Sequence, residues 1–270
     1  MVKNVLTLAG SDSSGGAGIQ ADIKAISATG SYACSVITAL TAQNTQGVSA
    51  IYSVPASFIA DQCDAVFQDL DIAAVKIGML NDVSVIECLA NKLQQYQPPF
   101  IVLDPVMVAT SGAKLLQEEA KEALVSLLFP FVTVITPNLL EAASLLHAPV
   151  PQSQIEINHI IQTLQMQFTT PILLKGGHCI LDGYSHDWLI TAENIKSYSL
   201  PSINTKNTHG TGCTLSSALA SYLAQGECLP EAAQMAKHYV TQALSFSDGL
   251  NVGQQSGPVD HFFAQRIQHD

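Results

Sequence analysis

Short runs of β-branched and other apolar residues alternate with longer segments in which apolar residues recur every three or four positions. Several of the short runs are apolar at successive positions, which is typical of strands covered on both faces. The longer segments have the spacing of amphipathic helices. The alternation predicts an α/β fold with a central, mostly parallel sheet and helices on both faces. The predicted strands span residues 4–9, 34–40, 72–77, 100–104, 132–136 and 171–175.

The pattern changes after Lys175. An Asp-Gly turn signal at 182–183 precedes two short segments whose residue pattern is typical of antiparallel strands. We therefore expect a mixed edge on the sheet. Two helices and a tail rich in Gly, Gln and Ser follow. No linker, repeat or charge block divides the chain, so residues 1–270 are predicted to form a single domain, with the tail after about residue 248 peripheral. The late elements are predicted at 184–190, 195–200, 211–224 and 231–245.

The chain has 270 residues, 47% of them hydrophobic, and a formal net charge of −11. Arg266 is its single arginine, and no basic run could neutralise a nucleic-acid backbone, which argues against a nucleic-acid partner. No signal peptide or bilayer-spanning segment is evident, so we expect a soluble, cytoplasmic protein without a membrane partner. An anionic substrate would have to be bound by backbone N–H groups, lysines and metal ions.

The strongest local signal is the segment 204–214, in which polar turn residues and two glycines lead directly into an apolar-striped helix. Such an entry leaves several backbone N–H groups facing one point at the positive end of the helix dipole. This segment, the anion loop, is therefore predicted to bind a phosphoryl group. The alternative is that its glycines only relieve strain at a helix start.

A second glycine-rich segment, residues 12–18, lies between the first predicted strand and the first predicted helix. It lacks the Gly-x-Gly-x-x-Gly spacing, and no acidic strand end follows about twenty positions later, which argues against a dinucleotide site. The segment could let the backbone approach a small ligand, or it could be a plain strand-to-helix turn.

Three further strand ends carry polar residues, namely Asp104, the pair Asn138 and Glu141, and Lys175. Ligands of open parallel sheets collect at this edge, where these groups could hold a hydrated magnesium ion and neutralise a triphosphate. Each residue also has an ordinary interpretation as a helix cap, a first-turn carboxylate or an Asp-Pro turn. Together with the anion loop these residues indicate Mg-ATP-dependent phosphoryl transfer. The chain lacks the Gly-x-x-x-x-Gly-Lys-Ser/Thr motif, so the predicted enzyme is not of the P-loop type.

Taken together, these segments resemble the hydroxymethylpyrimidine/phosphomethylpyrimidine kinases of thiamine biosynthesis, which belong to the ribokinase-like superfamily. The resemblance runs in register from about residue 4 to about residue 245. It implies a three-layer αβα fold, a homodimer, ATP and Mg²⁺, with help from a monovalent cation. It also implies two successive reactions, from 4-amino-5-hydroxymethyl-2-methylpyrimidine to its monophosphate and then to the diphosphate. The matching segments are AGSDSSGGAGIQAD at 9–22, KIGML at 76–80, LDPVM at 103–107, ITPNLLEA at 135–142, LKGGH at 174–178 and NTKNTHGTGCT at 204–214.

The resemblance also implies roles for individual residues. The anion hole and catalytic group would comprise Gly210, Thr211, Gly212 and Cys213, with Lys175 on the ATP phosphates. Magnesium and its waters would be held by Asp104 and Glu141 with Asn138. The nucleotide would lie along Thr205, Thr208 and His209. The pyrimidine would lie near Gly10, Ala17, Gln43, Met79 and Val106. Some relatives have glutamate where this chain has Gln43, but an amide can still donate to a ring nitrogen and accept from an exocyclic amine.

Cys213 is expected at a helix N-terminus, which lowers the pKa of a thiol, so it could act as a base towards the hydroxymethyl group. The second acceptor is already an anionic phosphate, which an aspartate at this position would repel. We therefore hypothesise that a residue able to stay neutral at this position permits both reactions. The alternative is that the thiol only fills the available space, as buried cysteines often do.

Two other functions stay open at this point. A pyridoxine, pyridoxal or pyridoxamine kinase of the same superfamily would act on a similar aromatic N-heterocycle bearing a hydroxymethyl group. A non-catalytic pyrimidine or nucleotide sensor would not need the whole phosphoryl-transfer set. Loops at 106–113 and 176–183 are candidates for closure over a substrate, because water must be excluded from the reaction.

Overall fold

The computed structural model describes residues 1–80, 82–107, 118–181 and 183–267, without the side chains of Glu118, residues 178–181 and Ile267. Within them the strands are β1 Asn4–Asp12, β2 Tyr32–Asn44, β3 Gly47–Ser53, β4 Ile72–Ile77, β5 Ile101–Leu103, β6 Val134–Ile135, β7 Ile172–Leu181, β8 Tyr184–Ile190 and β9 Ile195–Pro201. They form a nine-stranded sheet with the order β3-β2-β1-β4-β5-β6-β7-β8-β9. The six strands from β2 to β7 in this order pair in parallel, whereas β3, β8 and β9 pair antiparallel.

The sheet is covered by helices on both faces, as the sequence predicts. Successive strand residues point to opposite faces, so Leu6 and Val75 join one apolar cluster while their neighbours Val5 and Ala74 join the other. The helices are α1 Gly18–Ala28, α2 Ala56–Phe67, α3 Val83–Tyr96, α4 Glu118–Ala123, α5 Leu139–Leu145, α6 Gln154–Gln167, α7 Thr211–Gln225, α8 Leu229–Ser245 and α9 Phe263–Ile267. The first cluster includes residues of α2, α3, α5 and α6, and the second includes residues of α1, α7 and α8.

The mixed edge expected at β8 and β9 is confirmed, but the sequence did not predict the antiparallel strand β3 at the opposite edge. Ile51 and Tyr52 of β3 are exposed, so this strand lacks the buried pattern on which strand prediction depends. Its partner β2 continues to Asn44, beyond the predicted end at Leu40, because the hairpin supplies its hydrogen bonds.

The tail was expected to be peripheral after about residue 248, but residues 257–261 are buried. The backbone N–H of Asp260 donates to the carbonyl of Ala243 at 2.9 Å, and the Tyr239 hydroxyl donates to the carbonyl of His261 at 2.9 Å. Hydrogen bonds to α8 therefore hold a segment whose composition gave no sign of burial. Across the described ranges, no helix is both long and apolar enough to cross a membrane.

Candidate active site

Polar side chains collect where the parallel strands end. Hydrogen bonds tie each strand end to its neighbour, because the N–H groups of Gly78, Asp104, Thr136 and Lys175 donate to carbonyls of the adjacent strand or its extension at 2.8–2.9 Å. This ladder places successive strand ends side by side. The N-termini of α1 and α7 lie at the same edge of the sheet, as expected for ligand sites in open α/β sheets.

Lys175 joins two of the predicted acidic residues in one buried cluster. Its Nζ lies 2.7 Å from Asp104 Oδ1 and 3.8 Å from Glu141 Oε2. Asp104 also accepts hydrogen bonds from the hydroxyls of Thr136 at 3.1 Å and Ser216 at 3.4 Å. The structure therefore brings together the strand ends that the sequence singled out, and Ser216 ties them to α7.

Burial and charge act in opposite directions within this cluster. Burial opposes the charge of Lys175, but the carboxylates of Asp104 and Glu141 outweigh it and raise the lysine pKa. For Glu141, burial is the largest effect and raises the pKa to about 7, although Lys175 pulls in the opposite direction. The cluster thus holds a fixed cation beside two acidic side chains that are shielded from water.

Asn138 and Glu141 form a capping box at the start of α5. The Glu141 N–H donates to Asn138 Oδ1 at 2.9 Å, and the Asn138 N–H donates to Glu141 Oε2 at 2.8 Å. The ordinary interpretation of Asn138 as a helix cap is therefore confirmed. The same hydrogen bond fixes the Glu141 carboxylate near Lys175.

The anion loop enters α7 as predicted, Gly210 is required by its backbone conformation and a close backbone contact, and Gly212 lies against two site side chains. Gly210 has φ +79°, and a Cβ there would lie 1.9 Å from the carbonyl oxygen of Gly16. A Cβ at Gly212 would lie 3.2 Å from Lys175 Nζ and 3.6 Å from Asp104 Oδ2. The Lys175–Asp104 pair therefore lies directly against the N-terminal turn of α7.

Cys213, in the first turn of α7, does not have the lowered pKa expected from its helix terminus. Burial is the largest effect and raises its pKa to about 11, although Lys76 and the N–H of Gly18 act to lower it. Desolvation outweighs these two effects, so the pKa is raised and not lowered as the sequence predicted. The thiol is neutral near neutral pH.

A buried ion pair that sequence analysis missed lies close to this site. Lys76 Nζ lies 2.8 Å from both carboxylate oxygens of Asp22, and both side chains are 0% exposed. Asp22 also accepts hydrogen bonds from the hydroxyls of Thr7 at 2.6 Å and Ser217 at 2.8 Å. A Cβ at Gly78 would lie 2.8 Å from Lys76 Nζ. The available signal was a lysine within the otherwise apolar strand IAAVKI.

The structure places several of the predicted pyrimidine-side residues close to one another. A Cβ at Gly10 would lie 2.7 Å from Met79 Cε, so these two residues are adjacent. Ala17 donates its N–H to Asp12 Oδ2 at 2.8 Å, and Gln43 Nε2 lies 3.5 Å from His209 Nε2. Val106 follows Asp104 closely and directly precedes Met107, after which residues 108–117 are outside the described part.

His209 was expected along the nucleotide, but its ring is directed towards the glycine-rich segment 12–18. Its Nε2 lies 2.8 Å from Asp12 Oδ2. Burial acts to raise the pKa of Asp12, but hydrogen bonds from His209, Ser14 and Ala17 outweigh it and lower the pKa to about 2. His209 therefore lies beside Gln43, among the residues predicted to contact the pyrimidine.

The hydroxyls of the other two predicted nucleotide residues are engaged within the protein. Thr205 donates to Asp248 Oδ1 at 2.5 Å, and Thr208 Oγ1 lies 3.4 Å from Ser256 Oγ. Their contact with a nucleotide stays a prediction. The loops proposed to close, 106–113 and 176–183, fall partly outside the described residues.

Three comparisons place this geometry among known proteins. A family model described as phosphomethylpyrimidine kinase matches residues 12–260. A hydroxymethylpyrimidine/phosphomethylpyrimidine kinase from Escherichia coli is 49% identical over 97% of this chain and 98% of its own length. The crystal structure of a phosphomethylpyrimidine kinase from Clostridium difficile is 42% identical, with a TM-score of 0.76 over 90% of this chain and 99% of that chain.

An ADP complex of Bacillus subtilis pyridoxal kinase is similar in fold at lower identity. It is 31% identical, with a TM-score of 0.89 over 98% of this chain and 99% of that chain. The expected ribokinase-like fold is thereby confirmed, and the family match covers nearly the whole length. The chain belongs to the phosphomethylpyrimidine kinase family.

Proposed function

We propose that the protein transfers the γ-phosphoryl group of ATP to the hydroxymethyl oxygen of 4-amino-5-hydroxymethyl-2-methylpyrimidine, and then phosphorylates the resulting monophosphate to the diphosphate. These two steps belong to thiamine biosynthesis. The observation that carries the proposal is the contact between the Lys175–Asp104 pair and the N-terminal turn of α7. A phosphoryl group held by that turn would lie within reach of the Lys175 ammonium.

The acidic part of the cluster fits magnesium. Asp104 and Glu141 supply hard carboxylate oxygens, which Mg²⁺ prefers. A single lysine cannot balance two carboxylates, so their charge favours a further cation. Asp104 and Glu141 would hold the ion, with Asn138 fixing Glu141, while phosphates and water complete its coordination. Magnesium supplies neutralisation of the phosphate charge. Lys175 adds a fixed positive charge from the protein itself.

Cys213 contributes through its neutrality in this proposal. Near neutral pH its thiol carries no charge, so it does not repel the anionic monophosphate that is the acceptor of the second step. A loose phosphoryl-transfer transition state depends more on positioning and charge neutralisation than on a strong base. The raised pKa supports a neutral contact in both steps and argues against an ionised thiolate base.

A pyridoxine-type kinase is the second candidate, because the Bacillus subtilis pyridoxal kinase has the same fold at 31% identity. The residues that bind the phosphates would serve both substrates, so the choice between the pyrimidine and pyridoxine would depend on the pocket around Gln43 and Met79. The Escherichia coli relative, which is 49% identical, is named for both pyrimidine steps, and this similarity favours the pyrimidine as the substrate. A sensor without turnover is disfavoured, because Asp104 and Lys175 lie against the anion loop and Glu141 lies beside Lys175.

We also propose that the protein acts as a homodimer in the cytoplasm. Leu40 of β2 and Tyr52 of β3 are cross-strand neighbours that are 47% and 68% exposed, so they offer apolar contacts to a second copy. Sedimentation of the purified protein and its Tyr52→Asp variant tests the dimer, since the charge would weaken this contact.

Comparing rates in potassium and in tetramethylammonium salts tests the proposed help from a monovalent cation.

The direct test of function incubates the purified protein with Mg-ATP and either hydroxymethylpyrimidine or pyridoxine, and follows the products by mass. We expect the pyrimidine monophosphate to form first and the diphosphate later. Phosphorylation of pyridoxine alone would leave the phosphate machinery intact and overturn the pocket assignment at Gln43 and Met79. Absence of ATP consumption with both substrates would favour the sensor.

A further inference from the structure

The C-terminal residues 253–261, here called the C-terminal strap, run along the anion loop. The N–H of His209 donates to the carbonyl of Gly257 at 3.1 Å, and the Gly257 N–H donates to Asn207 Oδ1 at 3.2 Å. Further along, His261 Nε2 lies 3.0 Å from Thr214 Oγ1 in the first turn of α7. The strap therefore contacts the anion loop on both sides of its glycines.

The other end of the strap contacts the turn between β2 and β3. The Gln254 N–H donates to Thr45 Oγ1 at 3.2 Å, and Gln46 Nε2 donates to Gln254 Oε1 at 3.1 Å. Gly253 has φ +75°, and a Cβ there would lie only 2.2 Å from Thr45 Cγ2. Thr45 is two residues from Gln43, the residue expected to read the pyrimidine.

The strap also supports the contact between the two glycine-rich segments. A Cβ at Gly16 would lie 3.3 Å from Pro258 Cβ and 2.4 Å from His209 Cδ2. His209 itself is held by Asp12 at 2.8 Å. Pro258 and the ring of His209 thus pack together against the segment that carries Ala17.

We propose that the C-terminal strap is a positioning element of the kinase, which fixes the β2–β3 turn, and with it Gln43 at the end of β2, relative to the anion loop. This inference rests on the proposed function. The direct link between Gln43 and His209 is long, at 3.5 Å, whereas the strap makes several contacts at each end. Displacing its Gly253 end should move the β2–β3 turn and with it the end of β2, where Gln43 lies, while the contacts at Gly257 and His261 keep the anion loop in place.

The test uses Gly253→Ala, with Gly226→Ala as the matched control. Both glycines have positive φ, but a Cβ at Gly226 meets nothing within 4 Å, whereas one at Gly253 meets Thr45. We expect Gly253→Ala to raise the KM for hydroxymethylpyrimidine about tenfold, because small displacements of positioning groups have large kinetic effects. The KM for ATP should stay unchanged, and Gly226→Ala should change neither constant.

In the double variant Gly253→Ala/Thr45→Gly, glycine at position 45 removes the atoms that the new methyl group meets, but it also removes the hydroxyl that accepts from the Gln254 N–H. We therefore expect only a partial return of the pyrimidine KM, and we expect Thr45→Gly alone to raise that KM by a smaller factor than Gly253→Ala. Equal pyrimidine KM values for Gly253→Ala, Gly226→Ala and the unmodified protein would overturn the proposal. So would a lower melting temperature of Gly253→Ala with unchanged constants, which indicates a purely structural strap.

Failure of the proposed function would be recognised separately. If the unmodified protein phosphorylates pyridoxine and not the pyrimidine, the same three variants are compared with pyridoxine. A selective change in the KM for that substrate would then support the strap although the substrate assignment had failed. An unchanged KM would count against the strap in either case.

Discussion

Replacing Lys76 by methionine should strongly destabilise the protein, because it leaves the Asp22 carboxylate buried without its cation. The two side chains are 0% exposed, with Nζ 2.8 Å from both carboxylate oxygens. Hydrogen bonds from Thr7 and Ser217 would remain, but they do not neutralise the charge. Methionine has a similar length, so loss of packing contributes little.

The size of the effect follows from the geometry. At 2.8 Å and an effective dielectric constant of about 20, the lost attraction is about 6 kcal/mol. Part of it is offset in the native protein by the cost of burying both charges, and removing one partner of such a pair typically costs about 3–5 kcal/mol. For a chain of this size that corresponds to a fall of about 10 °C in the melting temperature.

Urea and thermal unfolding of Lys76→Met, Asp22→Asn and the double variant measure this effect. The double variant should be less destabilised than the sum of the single variants, because it leaves no uncompensated charge. The control is Lys92→Met, the same substitution at the partly exposed Lys92–Asp64 pair, where water still solvates the carboxylate, so stability should change much less. Strict additivity, or an equally small effect at Lys76 and Lys92, would refute the reasoning.

Two further predictions concern the site. Cys213→Asp should slow the phosphorylation of the monophosphate more than that of the alcohol, because a carboxylate beside Asp104 repels the anionic acceptor; equal losses in both steps, measured by product mass, would count against the neutral-thiol hypothesis. The pKa of Asp12 is lowered to about 2, so its contribution to stability is present above the ordinary value of 3.8 and is lost as pH falls through about 2. The unmodified protein should lose roughly 2 kcal/mol more than Asp12→Asn between pH 5 and pH 2 in urea unfolding, and parallel pH profiles would contradict this assignment.

Elements buried in the sheet could be predicted from sequence, because their residue patterns record burial. The strands at 72–77 and 184–190 have the predicted bounds. β3 was missed because its exposed Ile51 and Tyr52 show no such pattern. The same limit applies to the tail, whose burial depends on hydrogen bonds to α8 and to the anion loop.

The meeting of Asp104 and Lys175 could be predicted because parallel strands end at one edge of a sheet, so position along the chain determines position in space. The direction of the His209 ring could not be predicted, since its partner Asp12 is 197 residues away and is placed by the packing of two loops. Cys213 shows a third limit. The helix terminus was visible in the sequence, but the extent of burial, which decides the direction of the pKa shift, was not.

Transfer of label from γ-labelled ATP by the unmodified protein and by Lys175→Met tests the central claim most directly. The account predicts that both phosphates of the pyrimidine diphosphate carry label. It also predicts that both steps slow together by about 100-fold or more in the variant, because one fixed cation serves the same anion site in each step. If the Lys175→Met variant retains both rates, or loses only one of the two steps, the result would contradict a single phosphoryl-transfer site built on Lys175 and the anion loop.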